Sequence, residues 1–520
     1  MNNSCKVIWS HALQQMVVVS EIVASRGKAR RMSVAPDIAT RTASDRAAWQ
    51  VRPLVLGLAL AWAALAAPAS LRAQPVGANA LPTGGSVAAG SVTINSSGAH
   101  MVIDQASQRA VLNWQSFNVG KDAHVHFNNA GGSTLNRVTG PEASTILGRI
   151  TAPGQVIISN GNGVFFGRGS QVDVGSLIAT THSIGNERFM AGDLTFSRNG
   201  ATGSVVNEGE LRARLEGYVA LLAPEVRNQG LIVAAKGTVA LAAGEQIELQ
   251  LDPQNKLTNI RVSVGQWQAL VDNRQAIEAE GGLVILSAMA ARELQGSVVN
   301  NSGSINASSL TEQGGRILLT GDHITLGGGS TLKATGATGG GQVLVGGDWQ
   351  GGANAERRVF DDPKALHQAT TVTMEAGASI DASATDNGKG GTVVLWSDVT
   401  RPDTVTRAHG SILARGGPQG GDGGQIETSG GRLITDGVTG SAAAPKGQAG
   451  DWLFDPYNIE IVASGTESFT NSSNTLTGTG NDSKILNTSI NTLLSAGTNV
   501  TISTTGAGSQ AGNITVSAPI

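Results

Sequence analysis

VLNWQSFNVGKDAHVHFNNAGGSTLNRVTGPEASTILGRITAPGQVIISNGNGVFFGRGSQVDVGSLIATTHSI, residues 111–184, alternates short apolar runs with Gly and Asn punctuation. Val156-Ile157-Ile158, Val164-Phe165-Phe166 and Leu177-Ile178-Ala179 are too short for helices. Each sits between turn residues, the pattern of strands buried on at least one face. Asn160-Gly161-Asn162-Gly163 separates two of them, and Asn-Gly supplies the positive φ that a tight turn demands. The stretch predicts a chain rich in strands and turns.

Downstream the pattern becomes a repeat. Gly209-Glu210-Leu211-Arg212-Ala213 followed by Gly217-Tyr218-Val219-Ala220-Leu221-Leu222 recurs as Gly230-Leu231-Ile232-Val233-Ala234 followed by Gly237-Thr238-Val239-Ala240-Leu241, with starts 21 residues apart. Looser copies begin at Gly303, Ser379 and Gly410. A period of this size is the mark of a solenoid, because each unit offers two short strands that cannot bury both faces alone. The consistent architecture is all-β: a right-handed parallel β-helix with Val, Ile, Leu and Ala stacked inward and Ser, Thr and charged residues outward. About 440 residues in coils of about 22 would make some 20 coils and a rod on the order of 95 Å. Asp348 to Gln368 lacks the repeat and is expected to be a side elaboration.

Composition agrees. Gly numbers 70, nearly twice ordinary usage, while aromatics are 4% and charged residues 14%, which fits stacked short strands better than a compact aromatic core. The single cysteine, Cys5, lies in a segment expected to be removed, which leaves no disulfide and no cysteine metal site.

That segment reads as a targeting sequence. Leu54 to Ala67 is an apolar run of fourteen residues, short for a bilayer span and followed by small residues. Cleavage is expected near Ala69 or Ala73. Residues 1–73 hold nine Lys/Arg and three Asp/Glu, so the remainder carries 27 against 36, a charge of −9. Such a chain lacks the clustered basic residues of a nucleic-acid binder. No later run approaches the length of a transmembrane helix.

Two resemblances follow. Trp114-Gln115-Ser116-Phe117-Asn118-Val119-Gly120, Leu135-Asn136-Arg137-Val138, Ile150-Thr151-Ala152-Pro153-Gly154, Asn160 to Gly167 and Val172 to Thr181 resemble the secretion domain of two-partner-secretion exoproteins, the group of the filamentous haemagglutinins. The family's Asn-Pro-Asn-Gly motif falls on Asn160 to Gly163, with Gly161 in the proline position. Before the apolar run, Val7-Ile8-Trp9, Val17 to Glu21 and Arg26-Gly27-Lys28 resemble an extended signal-peptide region.

The resemblance implies a β-helix exported by the Sec machinery into the periplasm of a Gram-negative bacterium. A dedicated outer-membrane barrel transporter with periplasmic recognition domains would then secrete it. Asn160, Gly161, Asn162 and Gly163, with Asn136 and Arg137, are the expected recognition residues. Arg137 has a second reading, a corner arginine bonded to backbone carbonyls. The product is expected to be a filamentous haemagglutinin-like adhesin or surface exoprotein whose host or neighbouring-cell ligand is unidentified.

The expected division is a signal segment over 1–73, the secretion domain over 74–200 and continuing repeats over 201–449. From 450 to 520 come a junction motif, Gly450 to Ile459, and the start of a Thr/Ser/Asn-rich region that reads as continuing past Ile520.

Catalytic chemistry is sparse. His124 and His126 share a strand face without a third ligand at readable spacing. Asp361-Asp362 and Gly420 to Gly424 lack a periodic calcium ligand set and are expected to be turns. No catalytic, cofactor or metal residue is assigned. The alternative, a β-helical polysaccharide lyase or glycoside hydrolase, requires clustered carboxylates on neighbouring coils.

Overall fold

A computed structural model describes residues 5–10, 15–20, 76–291, 297–464, 469–472, 475–478, 483–504 and 512–520. The chain divides into two units, Met1–Arg72 and Ala73–Ile520. In the first, Cys5–Ser10 and Gln15–Ser20 pair as antiparallel strands. The leader's apolar run, Ala69 and Ala73 lie outside the described residues.

The second unit is a parallel solenoid built on three long sheets, of thirteen, fourteen and thirteen strands. The repeat appears in register: Leu211 pairs with Ile232 in one sheet and Val219 with Val239 in the next. Coils contain a third strand that a two-strand repeat omits, such as Ser204–Asn207, Glu225–Asn228, Ala269–Asn273 and Ser297–Asn301. Its signal is a Val two residues before an Asn. Asn207, Asn228, Asn273 and Asn301 stack as a buried ladder, each side-chain amide donating to the next carbonyl oxygen at 2.7–2.8 Å. The ladder satisfies polar groups at the corner leading to the first sheet.

Third strands and excursions use up residues, so the stack is shorter than a 22-residue coil predicts. Fourteen strands at about 4.8 Å reach on the order of 60 Å, not 95 Å.

The fourteen-stranded sheet departs most from the apolar-in, polar-out expectation. Its inward residues, among them Ile158, Ala179, Val219 and Leu221, join the solenoid core. Its outward column is also buried and apolar: Val111, Leu135, Ile157, Ile178, Ala220, Ala240, Ile285, Leu318, Leu344 and Val394 follow one another in register. Parallel strands covered on both faces carry such continuous apolar runs. Each fully buried Leu or Ile contributes about 1.5–3 kcal/mol.

The cover comes from outside the repeat. A helix, Asn186–Ala191, buries Phe189. An antiparallel side sheet of Thr195–Ser197, Gln246–Leu251 and Leu257–Val262 buries Phe196, Ile247 and Leu257. Residues 348–368, the expected side elaboration, bring Trp349 onto the same face.

Glycine marks the corner entering this sheet because adjacent coils nearly touch there. A Cβ on Gly217 would lie 2.0 Å from Gly175 O, and one on Gly237 would lie 1.8 Å from Gly217 O. At the other end of the stack, antiparallel strands replace coils: Val92–Ser97 pairs with His100–Gln105, and Ser86–Ala89 with Arg109–Trp114. They close the first sheet edges, the aggregation-prone part of any solenoid.

Candidate functional site

Asn160 to Gly163 forms a β-turn in which Gly163 N–H donates to Asn160 O at 3.0 Å. Positive φ falls on Gly163 alone (124°), not on the two central residues. The turn is therefore of the kind that takes Asn first, Pro second and Gly fourth. Gly161 stands in the proline-favoured place.

The Asn160 amide is not displayed at the corner, although the residue is among those expected to be recognised. Asn160 is 1% exposed; its Nδ2 donates to Glu142 O (2.9 Å) and Ser144 Oγ (3.0 Å), and its Oδ1 accepts from Asn162 N (3.0 Å). Asn162 is exposed but donates from Nδ2 to Gly140 O at 3.1 Å. A side chain that closes its own turn and staples the preceding loop leaves only Gly161 and Asn162 facing solvent.

Asn136 and Arg137 point to opposite faces, as neighbours on a strand must. Asn136 is wholly buried, accepting from Trp114 Nε1 at 3.1 Å and donating to Ile157 O at 3.2 Å. Arg137 follows the carbonyl reading: Nη2 donates to Ile184 O at 2.8 Å, and Nη1 to Asn113 Oδ1 at 3.4 Å. Burial lowers its pKa from the ordinary value. This arginine pins the segment before helix Asn186–Ala191 to the sheet.

His124 Nε2 and His126 Nδ1 both reach Thr151 Oγ1, at 2.8 and 2.7 Å, and His126 Nε2 reaches Asn128 Oδ1 at 2.7 Å. Among the described residues no group of three His, Cys, Asp or Glu converges in a metal-binding arrangement. A cleft beside the glycine corner is lined by Arg109, Gln155, Arg214, Tyr218 and Asn255, with Glu216 its one carboxylate. Among the described residues no helix is long and apolar enough to cross a membrane.

One buried group escaped sequence reading. Glu427 occupies the outward column of the fourteen-stranded sheet between Val394 and Leu453 and is fully buried. The signal was present in its strand, Gln425-Ile426-Glu427-Thr428-Ser429, where a charge stands at an apolar position of the stack.

Residues 78–334 match the family model of the TPS secretion domain, and residues 1–52 that of the Extended Signal Peptide of the Type V secretion system. A heme/hemopexin-binding protein of Haemophilus influenzae strain Rd is 29% identical over 262 residues, 49% of this chain and 28% of its own. Another protein of that name from Haemophilus influenzae is 30% identical over 268 residues, 47% of this chain and 28% of its own. The chain thus spans little more than a quarter of these relatives. The crystal structure of the HMW1 secretion domain from Haemophilus influenzae superposes with a TM-score of 0.56 at 26% identity, covering 72% of this chain and all of that one.

Proposed function

We propose that this chain, a two-partner-secretion exoprotein, is an adhesin-like binding protein whose solenoid displays ligand-contacting excursions, and that it is not an enzyme. Its extended signal peptide and secretion domain take it through the periplasm and across the outer membrane of a Gram-negative bacterium. The secretion domain implies a dedicated outer-membrane transporter as partner. Sec machinery performs the first crossing in this reading, which keeps the proposed division of the chain at residues 200 and 449.

One observation carries the binding reading. The described excursions, residues 186–197, 246–262 and 348–368, gather on the outer face of one sheet. Non-repeating segments held on a regular scaffold are where solenoids place recognition. The enzyme alternative is weaker because the cleft at the glycine corner holds a single carboxylate, and the cleft between the side sheet and the strap holds only the adjacent, exposed Asp361 and Asp362 of one loop, whereas glycoside hydrolysis needs two carboxyls facing each other across a substrate.

Export is proposed to involve Asn136, Arg137 and Asn160 to Gly163 before the coils close. Once folded, Asn136 and Asn160 are inaccessible, so a transporter that reads their amides reads the unfolded segment.

The test is binding of the purified exported protein to host cells, with haem and hemopexin included because the Haemophilus relatives carry those names. Saturable binding that falls when Asp348 to Gln368 is replaced by a short Gly-Ser linker supports the reading. Absence of saturable binding to cells and to both ligands, together with turnover of polysaccharide, overturns it.

A further inference from the structure

We propose that residues 348–368 form a proton-latched strap, seated on the fourteen-stranded sheet in acid and progressively released as the medium becomes neutral and then weakly alkaline. The latch is Glu427. Every outward position of its column before it, from Val111 to Val394, is apolar, and Leu453 follows it. A carboxyl in that row has water on neither side, because Trp349 and Gln350 of the strap lie over it.

The seat is dry, and its two donors offset burial only in part. Gln350 N–H donates to Glu427 Oε2 at 2.8 Å and Ser429 Oγ donates to Oε1 at 2.8 Å, bonds that favour the ionised carboxyl but do not outweigh the loss of water. Two further carboxylates face it, Asp455 on the next strand and Asp348 at the start of the strap, both nearly buried. Asp348 is committed to the strap's own backbone, accepting from Trp349 N (2.7 Å), Val359 N (2.9 Å) and Phe360 N (3.0 Å).

The nearby cations point elsewhere. Arg357 reaches Asp451 at 3.3 Å and lies over the Trp349 ring, Arg358 donates to Gly352 O, and Arg316 lies over Phe360, its charge acting on Asp348 rather than on Glu427. Glu356, Asp361, Asp362 and Lys364 are exposed. The far end of the strap is held by His367 Nε2, 2.7 Å from Asp322 Oδ1, a charge pair whenever the ring is protonated.

Burial, reinforced by Asp455 and Asp348, pushes the Glu427 carboxyl up to about 8. An ionised Glu427 recovers water only if the Trp349–Gln350 turn lifts. That turn is already under tension, since Gln350 sits in the left-handed region (φ 48°, ψ 41°) that glutamine rarely adopts. The opened strap ionises in the ordinary carboxylate range, while the closed strap holds its proton to about 8. Linkage then makes opening more favourable by about tenfold per pH unit between those limits and level above them.

Hydrogen–deuterium exchange of the exported full chain between pH 5 and 9, corrected for intrinsic amide rates, tests this. Protection across residues 348–368 should fall about tenfold per pH unit and level off near 8, while residues 283–288 stay protected throughout. Glu427→Gln, neutral at every pH, should reduce the slope to what the His367–Asp322 pair contributes. Asp455→Asn, which removes a neighbouring like charge, should bring the levelling to a lower pH and serves if the Gln variant fails to fold. A flat wild-type profile, an undiminished slope in Glu427→Gln, or an unmoved plateau in Asp455→Asn overturns the proposal.

Discussion

The indole Nε1 of Trp114 donates a 3.1 Å hydrogen bond to Asn136 Oδ1 on the next coil, with both side chains buried. Asn136 holds a position of the inward row that Ile158 and Ala179 occupy on the following coils, so it is a polar residue admitted to a core because a tryptophan needs an acceptor. The device recurs far along the stack, where Trp452 Nε1 donates to the inward Thr428 Oγ1 at 3.2 Å.

Asn136→Ala should cost about 1–3 kcal/mol by stranding the indole N–H. Trp114→Phe combined with Asn136→Leu should lose less than the two single changes together, a coupling of about 1 kcal/mol in denaturant unfolding. Strict additivity would mean that the pair is not energetically linked.

At the Asn160 corner, stability and the proposed recognition can be measured apart. Asn160→Ala loses the bonds to Glu142 O and Ser144 Oγ and should destabilise the domain by about 1–3 kcal/mol. Gly161→Pro should be tolerated, because a Cβ at this position would meet no heavy atom nearer than 3.8 Å and the turn favours proline there. Export by the partner transporter is measured for both, beside refolding in vitro. Wild-type export of Asn160→Ala with Asn162→Ala would remove this corner from the recognition site.

The glycine corner gives a contrast within one residue type. Gly237→Ala drives a methyl group into Gly217 O and should cost about 2 kcal/mol or more. Gly329→Ala, exposed and with open space around it, should change stability by about 0.5 kcal/mol or less. Equal melting temperatures for the two variants would refute the close approach of the coils.

Both faces of the fourteen-stranded sheet should reject charge. Ile158→Asp and Val219→Asp bury an unpaired carboxylate in the solenoid core and should cost several kcal/mol. Ile157→Asp, which simple alternation would place in solvent, should be as damaging because the side elements cover it. A wild-type melting curve for Ile157→Asp would mean that the outer cover is not formed.

His182 is buried, with Nε2 donating to Gly244 O at 2.9 Å, and burial lowers its pKa below the ordinary 6.5. Below pH 6.5 the unfolded chain takes up a proton that the folded chain resists, so this group's contribution to stability is lost as pH falls. His182→Gln should show a smaller drop in melting temperature than wild type between pH 7 and 5. An identical drop would clear His182 of the effect.

The coil repeat and two of its three sheets were legible in the chain itself, because parallel stacking places equivalent residues one coil apart and repeats their chemistry. Gly209 and Gly230, or Val219 and Val239, announce their pairing by spacing alone. The third strand was harder to see, being short and marked chiefly by a terminal asparagine whose ladder exists only after stacking. Tertiary structure alone decided where single polar residues go. Asn136 faces a tryptophan from another coil, Asn160 turns inward to staple a loop, and Glu427 lies under a strap that begins seventy-nine residues earlier. Those destinations depend on partners distant in sequence, and local periodicity carries no record of which segment will cover a sheet's outer face.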